Sequence, residues 1–198
     1  MKIMIVLGIT GSMASGKSSL THRVEVILKV PVWDADREVQ TLYQKNVIRQ
    51  KIISLFPLCI TQGSLDRQLL RNTIAQNPNN LKKLEAVLYP ELAISREKFL
   101  SFHQKKRSPF VILDIPLLFE KNLDSLCDWV ILTQSPDWLI RQRILKRTNM
   151  TPDLMDSLLS KQMPQTEKQH RADFVVDSGA GHHHTWIQFI KILEHLGL

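Results

Sequence analysis

Cysteine is nearly absent from this chain of 198 residues: only Cys59 and Cys127 occur, with no metal-type spacing between them. That argues against a disulfide framework and points to incidental thiols in a reducing compartment. Long apolar runs are missing too. The opening stretch MKIMIVLGITG is too short for a membrane helix and carries no signal-peptide cleavage site, so a cytoplasmic protein without membrane attachment is expected. There is no low-complexity segment and no internal repeat. Basic residues exceed acidic ones to give a net charge of +7, yet they gather in no tail. A cluster of basic and aromatic residues on one sheet face is lacking as well. Together these absences argue against nucleic acid and leave a small polyanion as the natural ligand.

What is present is globular. Hydrophobic residues make up 43% and charged residues 23%, enough for one substantial domain and too apolar for long disorder. Short β-branched runs predict buried parallel strands at Ile3–Ile9, Val30–Trp33, Phe110–Asp114, Trp129–Thr133 and Phe174–Val176. Helical spacing follows Gly16 and fills Asp36 to about Phe56, with a break near Lys45 and Asn46. Three further helices, Leu65–Ile74, Leu81–Leu88 and Glu91–Gln104, are expected between the turn signals Asn77-Pro78-Asn79-Asn80 and Tyr89-Pro90. Residues 57–64 read as a loop, and no strand is expected from 57 to 109. Ser135 before Pro136 and Thr151 before Pro152 are read as helix caps with proline at the first position. A closing helix is expected over Thr185–Leu196, with His182-His183-His184 in its entry loop. Strands alternating with helices predict an α/β fold on a five-stranded parallel sheet, with residues 57–109 as a helical insertion.

The strongest signal lies just after the first strand. Gly11-Ser12-Met13-Ala14-Ser15-Gly16-Lys17-Ser18 fits G-x-x-x-x-G-K-[ST] in full, between a strand and a helix. Glycines let backbone N–H groups converge on phosphate oxygens, and the helix presents its positive end there. Lys17 reaches the β- and γ-phosphates, and the Ser18 hydroxyl is a ligand for Mg²⁺. A flexible Gly/Ser linker would not sit flush against MIVLGI. The motif names a phosphate site but not a reaction.

Three other stretches narrow the chemistry. In Trp33-Asp34-Ala35-Asp36-Arg37, two carboxylates at a strand end could serve as a general base, or as partners of a metal's water, or simply cap a helix. Phe110–Asp114 is an apolar strand ending in Asp, a pattern fit for a carboxylate near a metal; a strand-terminating turn residue reads the same way. The PLLF that follows, Leu117 included, either packs or walls a substrate pocket. In Arg141-Gln142-Arg143-Ile144-Leu145-Lys146-Arg147, Arg143 and Arg147 are four apart on one helical face and could clamp a phosphate chain. Without the phosphate loop upstream, a solvated basic face would be the plainer reading.

In series, GITGSMASGKS, WDADREV, GSLDRQLLR, LEAVLYPEL, VILDIPLLFE, SPDWLIRQRILKR and KQMPQTEKQHRADFVVDSG resemble the dephospho-coenzyme A kinase family. The resemblance runs from about residue 3 to 181. It implies a P-loop NTPase three-layer fold and Mg²⁺-dependent transfer of the ATP γ-phosphate to the ribose 3′-hydroxyl of dephospho-CoA, giving coenzyme A and ADP. The implied layout is a nucleotide-binding core (1–56, 110–135 and 170–198), a helical acceptor subdomain (57–109) and a lid (136–169). It makes Asp36 the base. Nucleotide phosphates fall to Gly11, Ser12, Met13, Ala14, Ser15, Gly16, Lys17, Ser18 and Ser19, with Arg143 and Arg147 on the lid side and Arg143 also catalytic with Lys17. The acceptor falls to Asp36, Arg67, Arg71, Tyr89 and Leu117. Ser18 takes Mg²⁺, with Asp114 a further candidate for its ligand shell. Partners would be small molecules only, on a monomer or weak homo-oligomer.

The chain departs from the family's habits at four places. Ser12-Met13-Ala14 replaces a glycine-richer loop, and Tyr89 stands where a histidine commonly precedes Pro90. Ser178 stands where the family has Asn, a position the resemblance associates with an adenine-side contact. The spacing from Ser135 to the arginine pair is one residue longer, which would slide the arginine assignment by one. Other readings make distinct predictions. A nucleoside or nucleoside-monophosphate kinase would share the core and lid. A GTP-binding switch would need Asn/Thr-Lys-x-Asp after the fourth strand, and Thr133-Gln134-Ser135-Pro136-Asp137 has no lysine there.

Overall fold

A computed structural model describes residues 4–61, 64–148 and 150–198. Ile3, the expected start of the first strand, lies outside the described residues, as do Gln62 and Gly63 of the expected loop. The described chain forms two compact units, one of Met1–Asp34 with Phe102–Leu198 and the other of Ala35–Ser101.

The first unit is built on strand β1 (Ile5–Gly11), followed by helix α1 (Lys17–Arg23) and a π-helical turn (Val24–Leu28), then β2 (Val32–Asp34). The second unit opens with α2 (Ala35–Leu42) and α3 (Asn46–Leu55), broken where the sequence predicts. A short hairpin follows, β3 (Ile60–Thr61) against β4 (Ser64–Leu65), then α4 (Arg67–Gln76) and α5 (Pro78–Lys105), whose last turn belongs to the first unit. The first unit resumes with β5 (Phe110–Asp114), β6 (Trp129–Gln134), α6 (Asp137–Leu145), α7 (Pro152–Leu159), α8 (Gln165–Arg171), β7 (Phe174–Asp177) and α9 (His182–His195).

Five strands pair in parallel in the order β2-β5-β1-β6-β7. The α/β fold with a five-stranded parallel sheet is thus as the sequence predicts. Both sheet faces are buried, which is why the strands read as continuous apolar runs instead of alternating ones. One face packs Leu7, Ile9, Ile112, Ile131 and Val176 against Leu20 and Val24 after the loop and Phe189 and Leu193 of α9. The chain leaves β1 toward β2 on one side and reaches β6 on the other, so the order reverses at β1. Ligands in such sheets bind outside the carboxyl ends of the strands at this reversal, which is where the phosphate loop begins.

Carboxylates fix the strand entrances. Asp128 accepts the Val6 N–H at 2.8 Å, and Asp173, from the late Ala-Asp stretch, accepts the Val130 N–H at 2.7 Å. In the second unit, Leu42, Ile48, Ile52, Phe56, Leu70, Leu84 and Leu88 form a separate core. Asp66 of the LDR stretch caps α4 by accepting from Gln68 and Leu69, and the Leu69 N–H foremost holds its carboxyl below the usual range.

Several local expectations are corrected. Tyr89-Pro90 does not separate two helices, because α5 runs through Pro90 for 28 residues. The apolar stripe Leu84, Leu88 and Leu92 continues across the proline. Pro90 itself is exposed, as is Ala86, the residue whose carbonyl the proline cannot bond, so water can satisfy it. The hairpin β3–β4 was hidden because its strands are two residues each. Thr151 caps α7, its hydroxyl accepting from Leu154 at 3.2 Å, but Ser135 does not cap α6. Its hydroxyl is taken by Arg143 and Ser178. The three histidines form the first turn of α9 and not its entry loop, since Gly181, at φ 97°, makes the break just before them.

Gly8, in the middle of β1, is required by close approach. A methyl there would stand 2.6 Å from Cys127 Sγ. Gly8→Ala should therefore lower the unfolding free energy by about 1–3 kcal/mol. In urea denaturation, adding Cys127→Ala should recover part of that loss; equal costs with and without Cys127 would refute the contact.

Candidate active site

The phosphate loop is held from behind by side chains from the ends of β6 and β7, from α6 and from the segment between α7 and α8. Ser15 is buried, and its hydroxyl meets Thr133 Oγ1 of β6 at 2.8 Å; Thr133 in turn donates to the Thr10 carbonyl at 3.1 Å. Past the end of β7, the Ser178 hydroxyl donates to the Ser15 carbonyl at 2.5 Å. Arg143 of α6 donates through Nη1 to the Ala14 carbonyl at 3.1 Å and to Ser135 Oγ at 2.9 Å, and through Nη2 to the Ser178 carbonyl at 3.1 Å. Gln162, between α7 and α8, accepts the Met13 N–H at 3.1 Å. Within the loop the Ser15 N–H returns to the Ser12 carbonyl at 3.0 Å.

The Ser-Met-Ala departure has a packing role. Met13 and Ala14 lie against Ile140, Ile144 and Met155, the small apolar core of α6 and α7. Glycines could not make that contact. Ala14 adopts φ 61°, a left-handed conformation that disfavours a side chain. Gly16 also has positive φ, at 89°, and stands at the N-cap of α1.

Lys17 and Asp114 form an ion pair at the carboxyl end of β5. Asp114 is 1% exposed, and Asp34 is its register partner on β2. Burial pushes the Asp114 carboxyl above its ordinary range; the Lys17 charge and the Lys17 and Thr21 hydrogen bonds offset this only in part, and Asp34 adds to the rise. Ser18 and Ser19 are exposed at the start of α1, and Ser19 Oγ meets His182 Nδ1 at 3.0 Å.

Among the described residues, no three His, Cys, Asp or Glu groups are placed to hold a metal ion. A metal here would take most of its ligands from phosphate and water, with the exposed Ser18 hydroxyl and the Asp114 carboxylate as the protein's oxygen donors. That donor set suits a hard divalent cation that keeps its waters, such as Mg²⁺.

The remaining sequence-predicted residues are distributed as follows. Arg147 is exposed and lies beyond the end of α6 at Leu145, off the helical face it would share with Arg143. Leu117 is partly exposed after β5. In the second unit, Asp36 is exposed in the first turn of α2, two residues along the chain from Asp34. Arg67 stacks over Tyr43 at 5.2 Å and bonds Gln40; burial raises the Tyr43 hydroxyl's pKa against the opposing charges of Arg67 and Arg71. Tyr89 donates to Glu85 at 2.5 Å.

Sequence reasoning missed Thr133, Gln162 and the buried pair Lys168–Glu120. Glu120 Oε1 meets Lys168 Nζ at 2.8 Å and accepts the Met163 N–H at 3.0 Å. Burial raises the Glu120 carboxyl, but the Lys168 hydrogen bond and the backbone N–H groups outweigh it, so it titrates below its usual range. Glu120 and Gln162 sit inside stretches that carry the family resemblance, but a glutamine among polar residues gives no sign of its partner. The signal for Thr133 was only its place at a strand end.

Beyond this geometry stand the relatives. The sequence profile of dephospho-CoA kinases matches residues 5–183. The chain belongs to the dephospho-CoA kinase family. It is 38% identical over 191 residues to the dephospho-CoA kinase of Rhodopseudomonas palustris strain CGA009, covering 96% of this chain and 95% of the relative. A solved Thermus thermophilus protein superposes with a TM-score of 0.85 at 29% identity over 96% of both chains. The Campylobacter jejuni dephospho-CoA kinase structure has a TM-score of 0.72 at 22% identity, covering 98% of this chain and 97% of its own, a likeness of fold.

The raised Asp114 pKa fixes the sign of a pH effect. The folded chain binds this proton more tightly than the unfolded one, so the contribution is fully present below 3.8, the ordinary value, and is lost as pH rises through the folded pKa. In urea denaturation from about pH 4 to about pH 8, wild type should lose stability relative to Asp114→Asn as pH rises. A relative gain would mean that Lys17 dominates the carboxyl.

Proposed function

We propose that the protein phosphorylates dephospho-CoA with ATP, moving the γ-phosphate to the ribose 3′-hydroxyl to give coenzyme A and ADP. The observation that carries this reading is a phosphate loop braced at the switch point of the sheet in a chain that matches the dephospho-CoA kinase family over residues 5–183. In this reading residues 1–56, 110–135 and 170–198 serve the nucleotide, 57–109 the acceptor, and 136–169 act as a lid. Mg²⁺ is the metal, and no helix of the described residues is long and apolar enough to cross a membrane, in keeping with work in the cytoplasm. ATP and dephospho-CoA are the only partners, and the enzyme acts as a monomer or weak homo-oligomer.

Each residue then has a task. The loop from Gly11 to Ser19 surrounds the phosphates with backbone N–H groups. Lys17 exchanges Asp114 for the β- and γ-phosphates when nucleotide arrives, which frees the Asp114 carboxylate. Ser18 and Asp114 would hold Mg²⁺, which would supply positive charge against the charge that develops on the phosphate during transfer. The exposed Arg147 head meets the phosphate chain from solvent, while Arg143 holds its charge against the back of the loop. Asp36 takes the proton of the attacking 3′-hydroxyl. Arg67, Arg71, Tyr89 and Leu117 serve the acceptor, the arginines answering its phosphates.

With ATP and Mg²⁺, ADP release should be fast on dephospho-CoA and near background on a panel of nucleosides and nucleoside monophosphates. Efficient phosphorylation of a nucleoside instead would overturn the reading. Asp36→Asn should lower kcat by about 10²–10⁴-fold while leaving the KM for ATP within about twofold. Near-normal turnover would reduce Asp36 to a helix-start residue.

A further inference from the structure

Ser178 occupies the position where the family pattern places an asparagine, and the phosphate-loop geometry gives it a different job from base contact. We infer that Ser178 is a positioning residue of the phosphate loop, which holds the Ser15–Gly16 peptide with its N–H toward the phosphate, and that it does not read the adenine. The inference rests on the reading that this loop binds nucleotide phosphates.

A serine hydroxyl has one proton to give and two lone pairs to receive. Ser178 gives its proton to the Ser15 carbonyl at 2.5 Å. It receives from Ser135 Oγ at 2.6 Å and from Arg143 Nη1 at 3.3 Å. All three places are taken, and the side chain is buried, with 5% exposure. A base-edge contact would have to displace one of these bonds.

The direction of the bond matters as much as its existence. In a trans peptide the carbonyl and the N–H of the next residue point opposite ways. Tying the Ser15 carbonyl back toward β7 therefore aims the Gly16 N–H away from β7, on the side where the loop opens at the start of α1. The same hydroxyl limits Gly16 sterically: a Cβ there would stand 2.6 Å from Ser178 Oγ and 2.8 Å from its Cβ. Only glycine fits at this position, and it adopts the left-handed conformation, φ 89°, that closes the anion-binding turn. Ser178 is itself fixed at both ends of its backbone. Its N–H donates to the Gln134 carbonyl at 2.8 Å, and its carbonyl accepts from Arg143 Nη2 at 3.1 Å. The serine extends the β6–β7 ladder by one residue and turns its side chain into the loop.

The test separates loop positioning from base contact by comparing ATP with ITP, which changes the base edge and leaves the phosphates alone. Ser178→Ala should raise KM for both nucleotides by the same factor, about tenfold, from the lost partner of a buried carbonyl. The KM for dephospho-CoA should stay within about twofold, and Ser178→Thr, which keeps the hydroxyl, should restore much of the loss. ADP titrated calorimetrically without acceptor should show the same rise in Kd. Should Ser178→Ala fail to fold, Ser135→Ala carries the test, with a smaller but equally uniform rise for both nucleotides. A changed ATP-to-ITP ratio would make Ser178 a base contact, and unchanged nucleotide affinity in a folded variant would also overturn the inference. If wild type binds ADP but leaves dephospho-CoA unphosphorylated, the proposed function falls while the ADP titration still decides the role of Ser178.

Discussion

A peptide chain that cradles an anion must turn its N–H groups inward, and each carbonyl it turns away must find a donor elsewhere. The structure of this chain is organised around that constraint. The Ser15 carbonyl goes to Ser178, the Ala14 carbonyl to Arg143, and the Ser15 hydroxyl to Thr133. These partners come from the ends of β6 and β7 and from α6, so the loop's shape depends on distant parts of the chain as well as on its own Met13, Ala14 and Gly16. Placing β1 in the middle of the sheet is what brings those ends within reach.

The buried charges follow the same logic of paired supply. Lys17 pairs with Asp114, whose burial holds its carboxyl above the ordinary range against the lowering effect of the Lys17 charge. Lys168 is fully buried, and its partner Glu120 also takes the Met163 N–H, so one carboxylate fastens the start of the late segment to the stretch after β5. From that segment Gln165 and Gln169 reach Gln134 at the end of β6. Removing one partner of such a pair leaves an uncompensated charge, which is why these contacts act as fixed joints.

Much of the fold was legible because its determinants are local. Apolar runs such as Phe110–Asp114 identify buried strands, and the glycine-lysine spacing identifies the loop and the helix after it. What escaped was of two kinds. Two-residue strands like Ile60–Thr61 carry no period to detect, and the stripe Leu84-Leu88-Leu92 outweighs the stop signal of Pro90. The candidate site was legible in its residue types but not in their partners. Ser135 looks like a cap by its neighbour Pro136, yet its hydroxyl answers Arg143 and Ser178, 8 and 43 residues away. Met13 looks like a misfit in a glycine loop until Ile140, Ile144 and Met155 are seen beside it.

In the proposed function this braced loop delivers a phosphoryl group to one hydroxyl. The most direct measurement is the position of the new phosphate in the product formed from ATP and dephospho-CoA, read from its phosphorus–proton coupling by NMR. A monoester on the ribose 3′-oxygen, coupled to the 3′-proton, is expected. A phosphate on any other oxygen, or hydrolysis of ATP with no transfer to dephospho-CoA, would contradict it.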